Sequence, residues 1–158
     1  MDFQYIECVN IIDVDEIVDI EYKTYNHPWT KKHFINDINN SCSMNYMYKR
    51  NGKILGYLFG YLIKSEFHLN KITVTANERR KKIGRVLLNF YLKQLLFKNV
   101  KCIQLEVSSL NLVAQKFYKS FNFKHVGTRT DYYSKNEHAL LYTLDFKWLN
   151  GLDVNQIK

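Results

Sequence analysis

The sequence predicts an α/β (α+β) domain with one mixed, mainly antiparallel twisted sheet of about six to seven strands flanked by about four helices. Three observations predict it. Asn51-Gly52 separates two apolar runs, as the tight turn of a β-hairpin does. The alternating stretch Leu69-Asn-Lys-Ile-Thr-Val74 passes through a basic turn into Ile83, Leu87, Leu88, Tyr91, Leu92 and Leu95, which recur at helical spacing. Beyond them, apolar strand patterns enclose one more helical pattern.

Phe3, Tyr5, Ile6 and Cys8 suit a first strand, broken by residues 10–13. Asp13 is placed to cap a helix whose apolar face is Val14, Ile17, Val18, Ile20 and Tyr25, with Asp15 and Glu16 in its first turn. Pro28 interrupts, and Thr30 is placed to cap a short helix with Phe34 and Ile38 facing inward. Residues 44–49 and 54–63 form the hairpin around Asn51-Gly52, since these residues supply the positive φ angles of a type I′ turn. Residues 64–66 lead to a strand at 67–75, and the long helix follows until Asn99 breaks it. Residues 100–107 read as a continuous apolar strand, 110–121 as a helix, and 122–130 and 140–148 as strands with a loop at 131–137.

A length of 158 residues fits a single domain, 1–158, with its ligand-binding core at about 67–123 and a loose tail at 149–158. Hydrophobic residues make up 46% and only one Pro is present, a composition that argues against large-scale disorder. The net charge of +8 favours an anionic partner, although solvated lysines alone produce the same balance. Cys8, Cys42 and Cys102 are widely spaced and lack any CxxC pattern, which fits free thiols in a reducing compartment. With no leader pattern and no apolar segment of membrane-spanning length, the expectation is a cytoplasmic protein without membrane contact.

Chemistry is concentrated in few places. Arg79, Arg80, Lys81, Lys82 and Arg85 lie at a helix N-terminus, where unpaired N–H groups and the helix dipole favour phosphate; alone, a basic run reads equally well as a solvated face. Glu106 lies inside an apolar strand, so it either points to an open edge or cleft or has a chemical task. Tyr118, between Phe117 and Phe121, suits a core as well as a catalyst, and Asn111 suits a helix cap. Trp29 either packs as core or lines a groove, and Tyr132-Tyr133 form an aromatic rim or a packed loop. The five histidines show no paired ligand spacing, so no metal is expected. Neither a nucleophile elbow nor a GxxxxGK[ST] loop is present, which argues against serine hydrolases and nucleotide hydrolases.

Three segments together resemble the GNAT superfamily of acetyl-coenzyme A dependent N-acetyltransferases, and within it the bacterial ribosomal-protein alanine N-acetyltransferases. They are Asn26-His-Pro-Trp-Thr30, the strand, turn and helix from Ile72 to Leu88, and Leu105-Glu-Val-Ser-Ser-Leu-Asn111 through Phe117-Tyr-Lys-Ser-Phe-Asn-Phe123. The resemblance implies a GNAT-like sheet in which Ile72, Thr73 and Val74 present backbone groups to the pantetheine arm. It implies that Arg80, Lys81, Lys82, Ile83, Gly84 and Arg85 wrap the pyrophosphate, that Asn111 touches the cofactor, and that Glu106 is general base and Tyr118 general acid. Trp29, Tyr132 and Tyr133 are the expected peptide-groove residues.

The implied partner is a protein N-terminus, foremost that of a ribosomal protein, with no direct nucleic-acid function and a monomeric state. The rival readings are acetyl transfer to a small-molecule amine or a lysine side chain, and a basic module that docks on RNA or ribosomes. Lys82 stands where the family loop usually has its first glycine. Either it hinders close backbone approach to phosphate, or its φ is helical and its side chain swings outward. Asn122, where relatives commonly have glycine, fits because Asn accepts left-handed geometry.

Overall fold

A computed structural model describes residues 3–148; the tail expected at 149–158 lies outside them. The elements are β1 (Gln4–Cys8), α1 (Val14–Thr24), α2 (Lys31–Ile38), β2 (Tyr46–Arg50), β3 (Lys53–Ile63), β4 (Glu66–Val74), α3 (Ile83–Leu96), β5 (Cys102–Ser108), α4 (Leu112–Lys119), β6 (Lys124–Ser134) and β7 (Glu137–Asp145). They form one seven-stranded sheet in the order β1-β2-β3-β4-β5-β7-β6. Only β4 and β5 run parallel, joined through α3; the other neighbours are antiparallel.

The apolar spacing read along 83–95 is the buried stripe of α3: Ile83, Leu87, Leu88, Tyr91, Leu92 and Leu95 are all buried. Most of them pack with Leu58, Phe67, Leu69, Leu105, Val107 and Tyr118 on one face of the sheet. On the other face, α1 and α2 bury Val14, Ile17 and Phe34 against Met47, Tyr57 and Phe59. The hairpin turn takes positive φ at Asn51 and Gly52 (51° and 79°), as expected. Asn122 is left-handed too, at 64°.

Several boundaries differ from expectation. Asp13 stands at the start of α1 but does not cap it, because its carboxylate accepts the Asn10 N–H and pairs with Lys49. Tyr25 falls outside α1, in extended geometry. β5 alternates buried and half-exposed residues instead of being apolar throughout. β6 runs to Ser134 and β7 begins at Glu137, so the expected loop at 131–137 is mostly strand. Its pairing is irregular between Arg129 and Ser134, and Asp131 takes a φ of 51°. That irregularity has no apolar periodicity to announce it. The last strand stops at Asp145, and residues 146–148 turn into a 3-10 helix.

Candidate active site

The central feature is an opening between β4 and β5. Their parallel ladder covers Glu66–Leu69 against Cys102–Leu105 and goes no further. β4 remains paired with β3 up to Val74, while β5 remains paired with β7 up to Ser108. Between Phe59 and Gly60 of β3, the register passes from Lys71 to Leu69, which leaves Asn70 as an extra residue on β4. Such a bulge bends a strand and increases its twist. Asn70 therefore turns residues 71–74 away from β5 where the ladder ends. Backbone groups along the two arms are left to be satisfied by water or by an extended ligand.

Alternation assigns side chains to the two faces of this opening. Leu105 and Val107 pack with α3 and Tyr118, so Glu106 between them projects to the opposite face, the one covered by α1 and α2. There its Oε1 pairs with Arg129 at 2.9 Å, with the Glu106 side chain 31% exposed. Tyr118 comes from α4 on the other face and is 7% exposed, with its ring against Phe117 and Phe123. Burial pushes its phenol well above the ordinary value, with Tyr25 and Tyr133 as smaller contributors. The Tyr118 hydroxyl has no hydrogen bond among the described residues, yet no buried side-chain N or O atom lacks a partner. Its oxygen therefore reaches accessible space. Burial first, then the Glu106 carboxylate, raise the Tyr133 phenol above its ordinary value.

Residues 75–82 connect β4 to α3. Arg80 and Lys82 both take left-handed φ angles, 63° and 66°. Lys82 is the N-cap of α3, and no side chain caps that helix. In contrast, Thr30 accepts the His33 N–H at the start of α2, and Asn111 accepts the Ala114 N–H at 3.0 Å at the start of α4. Thus α3 opens with unsatisfied first-turn N–H groups next to a left-handed loop, a concave backbone geometry suited to anions.

The basic side chains are less available than their number implies. Lys81 pairs with Glu78, which also holds Arg50, and Lys81 keeps the Glu78 carboxyl below its usual range. Arg85 turns to α4, donating to Ser120 at 3.0 Å and lying over the Phe121 ring. A methyl group on Gly84 would meet only ordinary contacts at 3.6 Å and beyond, so the fold itself does not require glycine there.

The helical-φ expectation for Lys82 is corrected. Its backbone already has the shape a glycine would adopt, at a cost of about 1 kcal/mol for a side chain in that region, and the side chain is exposed. Lys82→Gly should therefore raise the melting temperature by about 2–4 °C. Affinity for acetyl-coenzyme A, the ligand that the family resemblance implies, should change by less than about threefold, measured by thermal shift and titration calorimetry. A gain of about tenfold or more would mean that the Lys82 side chain obstructs the ligand.

A second constellation escaped the sequence reading. Glu21 on α1 is fully buried. It accepts the Trp29 N–H at 2.9 Å and the Tyr57 hydroxyl at 2.5 Å, and it forms an ion pair with Lys71 of β4. Glu21 lies four residues after Ile17 on the inward stripe of α1; a carboxylate at a core position was the available signal. Trp29 also borders a groove of about 380 Å³ between α2 and the β3–β4 surface, with His33, Asp37, Tyr61 and Asn70. Tyr132 and Tyr133 are half-exposed on β6, and Arg129 lies 5.6 Å from the Tyr132 ring. Among the described residues no cluster of His, Cys, Asp or Glu could hold a metal, and no helix is long and apolar enough to cross a membrane.

A mixed sheet splayed between two parallel strands, followed by an uncapped helix start, offers unpaired backbone groups to an extended anionic ligand. The chain belongs to the acetyltransferase (GNAT) family, whose pattern matches residues 14–123. A similar protein is the ribosomal protein bS18-alanine N-acetyltransferase of Escherichia coli K12, 27% identical over 81% of this chain and 86% of that protein. The Haemophilus ducreyi enzyme of the same name is 24% identical over 88% and 98% of the two chains. The crystal structure of the Escherichia coli ribosomal-protein-S18-alanine N-acetyltransferase superposes with a TM-score of 0.86 at 25% identity, covering 90% of this chain and 94% of that one.

Proposed function

We propose that this acetyltransferase transfers the acetyl group of acetyl-coenzyme A to the N-terminal α-amine of a protein, foremost a ribosomal protein. The observation that carries the reading is the splay itself, with Glu106 on the face that bears Trp29 and Tyr118 on the other. The names of the Escherichia coli and Haemophilus ducreyi relatives support the choice of acceptor.

The residues fit the donor. The segment Ile72, Thr73 and Val74 borders the opening and would hold the pantetheine arm as an added strand through the alternate backbone groups that β3 leaves unpaired. The N–H groups from Arg80 to Arg85, including those of Lys81, Lys82, Ile83 and Gly84, would hold the pyrophosphate. Asn111 acts by capping α4 and so fixes the wall near the cofactor. When bound, the donor supplies an activated acetyl carbonyl.

A protein α-amine has a pKa near 8, so only about a tenth is neutral at pH 7. Glu106 keeps Oε2 without a partner among the described residues, and this oxygen takes the amine proton directly or through one water. Tyr118, kept protonated by burial, gives its proton to the departing thiolate. No covalent acyl-enzyme is required. Trp29 on one side and Tyr132 and Tyr133 on the other would border the peptide. The reading takes residues 1–158 as one cytoplasmic, monomeric catalytic domain, with its donor-binding core at about 67–123.

Acetyl transfer to N-terminal peptides, polyamines, aminoglycosides and lysine-containing peptides, run in parallel, tests the reading. Preferred modification of peptide α-amines is expected, together with thermal stabilisation by acetyl-coenzyme A. Salt-dependent RNA binding without that stabilisation, or preference for the small amines, would overturn it.

A further inference from the structure

The buried Glu21–Lys71 pair lies outside the proton transfers assigned to Glu106 and Tyr118. Lys71 is the first β4 residue after the bulge at Asn70, and its side chain is 11% exposed. Its ammonium lies 4.3 Å from the centre of the Tyr25 ring and 4.9 Å from that of Trp29. Two residues along the same strand, Thr73 meets the Tyr25 hydroxyl at 3.0 Å. Glu21 meanwhile holds the Trp29 backbone N–H from beneath. The loop between α1 and α2 is thus fixed by its backbone and by two of its rings to the strand segment that opens into the splay.

Apolar residues of similar volume would join α1 to the sheet at lower cost, because a buried ion pair seldom repays its desolvation. What such a pair adds is direction. Glu21 makes three polar contacts, each to a different segment, and they set the position of one loop relative to one strand.

We infer that Glu21 and Lys71 are positioning residues for the acceptor, holding Tyr25 and Trp29 at a fixed distance from the strand along which the thioester lies. The inference rests on the proposed function, in that the face bearing Glu106 and Trp29 receives the acceptor. Neither residue exchanges a proton with substrate. Their contribution is the width and rigidity of the gap that the acceptor enters.

The test uses the full chain and two variants. Glu21→Gln/Lys71→Met removes both charges while leaving an amide oxygen to accept from the Trp29 N–H and an amide NH₂ that can donate to the Tyr57 hydroxyl. Tyr25→Phe removes only the hydroxyl contact to Thr73. Acceptor KM and kcat are measured at saturating acetyl-coenzyme A, and the acetyl-coenzyme A Kd is measured separately by calorimetry.

The double variant should raise acceptor KM about tenfold or more with Kd changed less than about twofold, and Tyr25→Phe should raise KM about threefold with an unchanged melting temperature. A parallel loss of acceptor and cofactor affinity would mean a scaffold role, and unchanged KM in both variants would mean no role; either overturns the inference. If the double variant does not fold, Tyr25→Phe decides alone, and an unchanged KM overturns it. If the unaltered protein acetylates only small amines, the proposed function fails, and the same comparison is made with the best amine as acceptor.

Discussion

Glu106→Gln is expected to lower kcat for peptide acetylation by about 10²–10⁴-fold at neutral pH, the usual contribution of a positioned base. The substitution keeps the shape of the side chain and an oxygen for Arg129, which pairs with Glu106 at 2.9 Å. With Glu106 31% exposed and Arg129 55% exposed, losing the ion pair should cost no more than about 1 kcal/mol of stability. Acetyl-coenzyme A affinity should therefore hold while turnover falls. The residual rate should climb steadily with pH as the amine loses its proton unaided. Steady-state kinetics from pH 6 to 9 with calorimetric Kd values would show this; a pH–rate profile identical to that of the unaltered enzyme would remove Glu106 as base.

Tyr118→Phe should slow transfer by about 10²-fold or more. No hydrogen bond among the described residues is lost, and the ring keeps its contacts with Phe117 and Phe123, so the melting temperature should barely move. The burial that raises the Tyr118 phenol above its ordinary value also keeps its proton in place beyond pH ~10. Activity of the unaltered enzyme should accordingly not decline through ionisation of Tyr118 as pH rises from 7 to 10. Full activity of the phenylalanine variant would return Tyr118 to a purely packing role.

Much of the fold was legible because it depends on local periodicity. The stripe from Ile83 to Leu95 and the Asn51-Gly52 turn are decided within a few residues, and both are found as read. The splay was not readable from residue pattern. It depends on a bulge at Asn70, where β3 sets the register from a segment earlier in the chain, and strand periodicity does not register a single extra residue. Glu21 and Lys71 are 50 positions apart, so neither stretch alone marks them as a pair.

The basic turn was legible as an anion site built on backbone N–H groups with side-chain charges assisting, and the structure reduces the part those charges take. Glu78 neutralises Lys81, and Ser120 and Phe121 hold Arg85, which leaves the backbone of a left-handed loop and an uncapped α3 as the main device. Lys82 shows why side-chain type was a poor guide there. Its φ of 66° reproduces the geometry of a glycine while the side chain stays in solvent.

Acetylation of a protein α-amine can be read on its cellular target by mass spectrometry of intact ribosomal proteins. Proteins are compared from cells with and without this enzyme, then after treatment with the purified enzyme and acetyl-coenzyme A. One acetyl group is expected on the N-terminal residue of a ribosomal protein, absent without the enzyme, restored by the purified protein and not restored by Glu106→Gln. Unmodified N-termini throughout, or acetyl groups found only on lysine side chains, would contradict it.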